Sequence, residues 1–223
     1  MAERPLFIPV PQGPELVRKV SVEFHWYPGM ALSQKQKSID SLHAAATGLT
    51  GISRLLEIST KSRAPLGVAL SGFNLMLGPG GKDAFSVECA FQGSKVFERG
   101  GPFEDLFAMP VRLARKDGRL TSSGELTGFR YLGTDWGPAT AFYDWLYIGA
   151  LHRFRDEVKL TDYEAFTDIE YTPARSTSCQ AHSVALYVAL QGRGQLEEAL
   201  SSRAAFLEMI KPASSRPPSG SRP

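Results

Sequence analysis

Glu88, Gln92 and Lys95, in the segment FSVECAFQGSKVF (85–97), are the residues whose types and spacing most suggest chemistry. At about 100° per residue of an α-helix, positions i, i+4 and i+7 fall in a stripe roughly 60° wide. The stripe lines up a carboxylate, an amide and an amine. Glu and Lys seven positions apart are too distant to pair directly, so a simple i,i+4 salt bridge does not account for them. Either the stripe is a solvated helix edge, or it faces a sugar or a phosphate as half of an active site. Ser86 as N-cap puts Glu88 in the first turn, where the helix dipole and unpaired N–H groups favour an ionised carboxylate. Val87, Ala90, Phe91 and Phe97 fall on the remaining circumference as the expected packing face.

Three further groups could join it. In EISTKS (57–62) Lys61 stands among hydroxyls at a strand end, as a solvated turn lysine, a phosphate contact or, if desolvated, a nucleophilic amine. Asp168 and Glu170 alternate in YEAFTDIEY (163–171), which reads as a strand with Phe166, Asp168 and Glu170 on one face. They lie on a solvent face, or Glu170 joins Glu88 as the carboxylate pair that glycosidic cleavage uses. Arg112, Arg115, Lys116 and Arg119 form a basic helical stripe that is either solvated or suited to a pyrophosphate or DNA backbone, with Lys35 and Lys37 a weaker basic point. Trp136, Tyr143 and Trp145 lie among mostly core aromatics, and one of them could stack on a base. His182 reads as a core histidine, and no histidine or cysteine has metal-ligand spacing. The chain has no GxGxxG after a strand, P-loop, GxSxG elbow or HExxH, which argues against the common serine, cysteine and metal hydrolases.

The elements that must carry these residues read as one α+β domain over 1–211, mostly helical with a few short strands, and a disordered Pro/Ser/Arg-rich tail over 212–223. Residues 1–14 are Pro-rich and expected to be extended, and 17–27 alternate as a strand. A helix follows, with a Ser33/Gln36 capping box, an Ile39/Leu42/Ala46 stripe and Gly48 as its end. Short strands are expected over 55–60 and 68–77, and Gly100-Gly101-Pro102 is expected to stop the helix that carries Glu88. Helices then follow over 103–117 with a break near Pro110, from Pro138, and over about 180–191 and 195–210. The 223 residues carry a net charge of +2, with 43% hydrophobic and 22% charged residues, so no overall basic field signals nucleic acid. No run approaches the ~18 apolar residues of a membrane span. With only Cys89 and Cys179, far apart, the expectation is a cytoplasmic, reduced protein without metal or cofactor.

The segment VECAFQGSKVF resembles the NADAR superfamily, whose bacterial riboflavin-pathway glycosidases carry a segment like SEHYFQAQKF. Glu88, Phe91, Gln92, Lys95 and Phe97 match it at the same spacing. LSGFNL resembles the family's SNF element, although Gly72 and Phe73 separate Ser71 from Asn74. PVRLARKDGRL and FYDWLYIGALHRF resemble its later helices, and FTDIEY its LVE strand, which maps Glu170 onto a family glutamate. The family's DxxWG element is not evident, and RSTSCQ stands there instead. These motifs span about residues 66–190. The flanking FHWYPGMALSQKQKSIDSLH and LEISTKS look like the branch paired with DarT-type toxins that ADP-ribosylate guanine in DNA.

The resemblance implies an antitoxin that hydrolyses the ADP-ribose–guanine N-glycosidic bond and releases ADP-ribose. Its family chemistry involves a lysine amine at the ribose anomeric carbon, with Lys95 favoured and Lys61 its competitor, assisted by Glu88 and Glu170. Asn74, Gln92, Ser94, Arg115, Trp136, Trp145 and Asp168 are the implied substrate contacts. The alternatives are a glycosidase of phosphorylated riboflavin-pathway intermediates and a non-enzymatic partner that sequesters the toxin.

Overall fold

The N-terminal stretch forms a strand. In the computed structural model, which describes all residues except 79, 80, 138, 174, 175, 177 and 212–223, β1 (Ala2–Pro9) pairs antiparallel with β2 (Val17–Phe24) along its whole length. The expected alternation of β2 holds: Val22 and Phe24 are buried and Val20 packs against the same cluster. Helix α1 (Leu32–Thr50) lays Ile39, Leu42 and Ala46 onto that cluster, as its stripe predicts. Its ends differ from expectation. Ala31 is the N-cap without a side-chain cap bond, so the Ser33/Gln36 box is not formed. Gly48 stays inside the helix, and Gly51, at φ +76°, ends it by donating its N–H to the Thr47 carbonyl at 2.8 Å.

After β3 (Leu55–Glu57), the stretch expected as a strand over 68–77 is largely helix and turn: α2 (Pro65–Ala69), then only β4 (Met76–Leu77), paired with β5 (Phe85–Ser86). Pro65 pre-sets the first helical turn, and Gly67 lets it close on the end of β3, since a Cβ there would lie 2.0 Å from the Glu57 carbonyl oxygen. Helix α3 (Val87–Gly93) is capped as predicted, Ser86 Oγ accepting from the Cys89 N–H at 3.1 Å. It ends at Gly93, before Gly100, and Lys95 opens β6 (Lys95–Phe97).

A 3₁₀ turn (Glu104–Ala108) and the short helices α4 (Val111–Ala114) and α5 (Arg119–Ser122) replace the expected helix over 103–117, with the break at Pro110 where the sequence puts it. Strands β7 (Leu126–Tyr131) and β8 (Thr134–Trp136) complete an antiparallel sheet in the order β6-β7-β8. Helix α6 (Ala139–Arg153) crosses the main core. Pro138, its expected start, lies outside the described residues, as does the expected tail over 212–223. Strand β9 (Ala165–Thr167) lies between β1 and β3 in the sheet order β2-β1-β9-β3, antiparallel to β1 and parallel to β3. Helix α7 (Gln180–Gly192) is followed by α8 (Leu196–Ser201) and α9 (Arg203–Met209), split where Ser202 leaves the helix and caps α9 through the Ala205 N–H. The chain is a mixed α+β single domain, and among the described residues no helix is long and apolar enough to cross a membrane.

Candidate active site

Because β3 and β9 run parallel, the chain leaves both strands at the same end of the sheet, the usual place for a crevice at the carboxyl ends of strands. Ser59, Thr60 and Lys61 follow β3, Asp168 and Glu170 follow β9, and α3 faces them across a cleft of about 440 Å³. Glu88, Gln92, Lys95 and Arg115 line the α3 side.

These four are joined in series. Lys95 Nζ donates to Gln92 Oε1 at 2.7 Å, and Gln92 Nε2 donates to Glu88 Oε1 at 2.9 Å. Arg115 Nε stands 3.1 Å from the same Glu88 oxygen, with its guanidinium 5.2 Å over the Phe73 ring. The stripe therefore survives the end of α3 at Gly93, because the tight exit through Ser94 keeps Lys95 in line. Gly101 secures that exit: at φ +92° it lies against the Lys95 carbonyl oxygen, only 2.2 Å from where a Cβ would sit. Burial pulls the Lys95 amine below the ordinary lysine range; the Glu88 carboxylate opposes this shift and Arg115 adds to it.

On the opposite wall the chain turns directly after Thr167, so Phe166, Asp168 and Glu170 do not share one strand face as expected. Asp168 Oδ1 accepts the N–H groups of Glu170 at 3.0 Å and Tyr171 at 3.2 Å, which bends the backbone and separates the two carboxylates. Asp168 is buried, whereas the Glu170 side chain is 43% exposed and pairs with Lys35 at 3.1 Å. Burial, reinforced by the charge of Glu57, pushes the Asp168 carboxyl well above the usual range. Glu57 lies behind it, its carboxyl also raised by burial. Its oxygens accept from the Ile169 N–H at 2.8 Å and the Thr167 hydroxyl at 2.7 Å, and His43 Nε2 lies 2.8 Å from that hydroxyl. Glu57 thus ties the exit of β3 to the exit of β9.

Sequence reasoning missed Gly72 and Gln180. The Gly72 N–H donates to Gln180 Oε1 at 2.7 Å and its carbonyl accepts from the Glu88 N–H at 2.9 Å, while a Cβ there would lie 2.9 Å from the Tyr143 hydroxyl. The glycine inside LSGFNL was the available signal. Tyr143 lines the cleft, its hydroxyl raised by burial.

Four expected contacts lie elsewhere. Asn74 is exposed outside the cleft lining, its Nδ2 donating to the Val68 carbonyl at 2.8 Å, because the extra Gly-Phe pair turns it outward. Ser94 is fully buried in the turn after α3. Trp136 and Trp145 pack on one another at 4.8 Å, and Trp136 also packs on Phe142 at 5.4 Å, as part of the core rather than as a stacking surface. The basic stripe is also divided: the turn between α4 and α5 leaves Arg115 at the cleft and sends Arg119 to Asp105 and Asp117.

Fold and site define the class: an α+β protein whose cleft couples a desolvated lysine to a carboxylate. The family model of the DarT1-associated NADAR antitoxin matches residues 2–219, and the chain belongs to this family. None of the curated proteins matches it. The match extends well beyond residues 66–190 and takes in the flanking FHWYPGMALSQKQKS and LEISTKS segments. The chain is therefore an antitoxin of a family associated with the DarT1 toxin.

Proposed function

We propose that this antitoxin is an enzyme, an ADP-ribosyl glycohydrolase that removes ADP-ribose from guanine bases in DNA. The observation that carries the reading is the Lys95–Gln92–Glu88 series, an amine disposed by burial to its neutral form and aimed by an amide that a carboxylate holds. A neutral Lys95 attacks the ribose anomeric carbon while the bond from that carbon to the guanine nitrogen breaks. The bonding pair leaves with guanine, which takes up a proton from Asp168, the carboxyl whose proton affinity burial raises well above the usual range. A proton of the attacking amine passes to the ring oxygen as the bond from that oxygen to the anomeric carbon breaks, which opens the sugar and leaves a protonated Schiff base on Lys95. Water, activated by Glu170, then adds to that carbon, and ADP-ribose and free Lys95 are released. Glu88 orients the ribose hydroxyls and offsets positive charge at the anomeric carbon. Arg115 and Lys61, both lining the cleft, meet the diphosphate.

Lys95 is favoured over Lys61 as the nucleophile because Lys95 alone is held in the series that ends on Glu88. Glu88→Ala is expected to keep the fold and abolish release of ADP-ribose from modified DNA, and wild-type-like release by this variant would sink the assignment. If the folded, inactive variant still rescues cells that express the toxin, sequestration accounts for the antitoxin role. Turnover of phosphorylated riboflavin-pathway intermediates in preference to modified DNA would point to the other glycosidase branch.

A further inference from the structure

No acidic residue lies between Glu23 and Asp40, and Asp40 is occupied by Arg63, which donates to both of its carboxylate oxygens at 2.8 Å. The same stretch holds His25, Trp26, Tyr27, Lys35 and Lys37. Lys35 reaches Glu170 in the cleft and also lies 4.9 Å over the Trp26 ring, so the first turn of α1 borders the cleft mouth. Within one helix diameter of it, about 10 Å, Lys37 is exposed, 6.0 Å over the Tyr27 ring, and makes no ion pair among the described residues. His25 is exposed and packs edge-on against Tyr27 at 4.6 Å, and Met30 beyond it is 92% exposed. On the other wall, Arg112 and Lys116 flank Arg115, exposed and likewise without an ion pair among the described residues.

Cations without acidic partners, set beside half-buried aromatic rings and exposed apolar atoms, fit a polyanion that carries flat apolar groups. An acidic protein surface would satisfy the cations but not the rings. We propose that the segment 25–37, at the start of α1, is a platform for single-stranded nucleic acid, with Tyr27 stacking a base and Lys37 meeting the adjoining phosphate. That the strand held there is the one whose ADP-ribosyl group enters the cleft rests on the functional reading above. The strand binding itself does not.

The test is fluorescence anisotropy of a labelled, unmodified single-stranded oligonucleotide titrated with the full chain, its Tyr27→Ala and Lys37→Ala variants and Glu88→Ala. Thermal melts confirm that each is folded; the Tyr27 N–H bond to Ser38 Oγ is a backbone contact that Tyr27→Ala retains. Tyr27→Ala is expected to raise Kd at least about fivefold. Lys37→Ala should reduce the slope of log K against log salt by about 0.7, the loss of one phosphate contact to a single strand. Glu88→Ala, which removes a carboxylate and frees the Arg115 guanidinium, should not weaken binding. The proposal is overturned if the wild type does not bind the oligonucleotide, or if Tyr27→Ala and Lys37→Ala match it in Kd and salt slope. It is equally overturned if these two variants weaken binding of the toxin protein but not of the strand. A wild type that binds the strand yet releases no ADP-ribose overturns the functional reading and leaves the platform standing.

Discussion

Glu88→Gln should make the Lys95 amine easier to deprotonate, although the substituted residue does not touch it. Burial and the Arg115 guanidinium both disfavour the charged amine, and the Glu88 carboxylate is what favours it. The variant removes that carboxylate charge and also releases Arg115 from its ion pair. Two hydrogen bonds in series, of 2.9 and 2.7 Å, run through the Gln92 amide. They put carboxylate and amine on the order of 7 Å apart, which at an effective dielectric of about 20 is worth roughly 2 kcal/mol. Since 1.36 kcal/mol corresponds to one pH unit, and solvent at the cleft mouth screens part of the interaction, titration of the amine should move down by about one pH unit. Trace amine acetylation across about pH 6 to 11, followed by mass spectrometry of the Lys95 peptide, reads this without requiring turnover. Lys61, in the same sample, is the internal control. Arg115→Gln should move the Lys95 titration upward, and by less, because the Arg115 side chain is 53% exposed. An unchanged or raised Lys95 titration in Glu88→Gln would refute the coupling on which the proposed chemistry depends.

Lys95→Met should abolish turnover yet stabilise the fold at neutral pH, by roughly 1 kcal/mol or about 2–4 °C in melting temperature. The reason is that Lys95 binds fewer protons when folded, so the wild type gains stability as pH rises from the folded-state pKa to the unfolded one, and the advantage of the variant should shrink there. Burial lowers His43 from 6.5 to about 4. Below pH 6.5 the unfolded chain takes up a proton that the folded chain refuses, so about 3 kcal/mol of stability should be lost by pH 4. Denaturant titrations of the wild type and His43→Gln should show this loss only in the wild type. Trp136→Leu should cost about 2–4 kcal/mol of stability and leave KM for the ADP-ribosylated substrate unchanged, because Trp136 is a core residue; a raised KM with unchanged stability would place it back at the substrate.

The half of the site carried by local sequence was legible, and the half made by chain reversal was not. Glu88, Gln92 and Lys95 are close in sequence, so their alignment follows from helical geometry and tolerates the end of α3 at Gly93. Asp168 and Glu170 were legible as residues but not as a geometry, since a strand pattern assumes extension and the Asp168 carboxylate instead captures the next two backbone N–H groups. Glu57 and His43 act through Thr167, which lies more than 100 positions away from each. No spacing rule reaches that far. The tryptophans failed for a related reason: an aromatic on a strand, as Trp136, or on a helix, as Trp145, carries the same local signal whether it faces core or ligand, and only the packing of α6 on β7 and β8 decides.

Burial shifts both acid–base groups of the cleft toward their neutral forms, acting with opposite sign on amine and carboxyl. Burial lowers the Lys95 amine and raises the Asp168 carboxyl. Each shift works against stability, because each group would be better solvated as an ion. Glu57 deepens the shift at the aspartate, whereas at the lysine Glu88 opposes the shift more than Arg115 adds to it. A fold selected for stability alone would place a carboxylate beside the amine and a cation beside the carboxyl. Here the Gln92 amide holds the carboxylate Glu88 away from Lys95, so that it acts by charge at a distance and not in contact, and the cation Lys35 goes to Glu170 rather than to Asp168. Conflict between local energetics and placement is what a functional site retains. Its concentration on facing walls of one cleft is a stronger argument for catalysis than either residue alone.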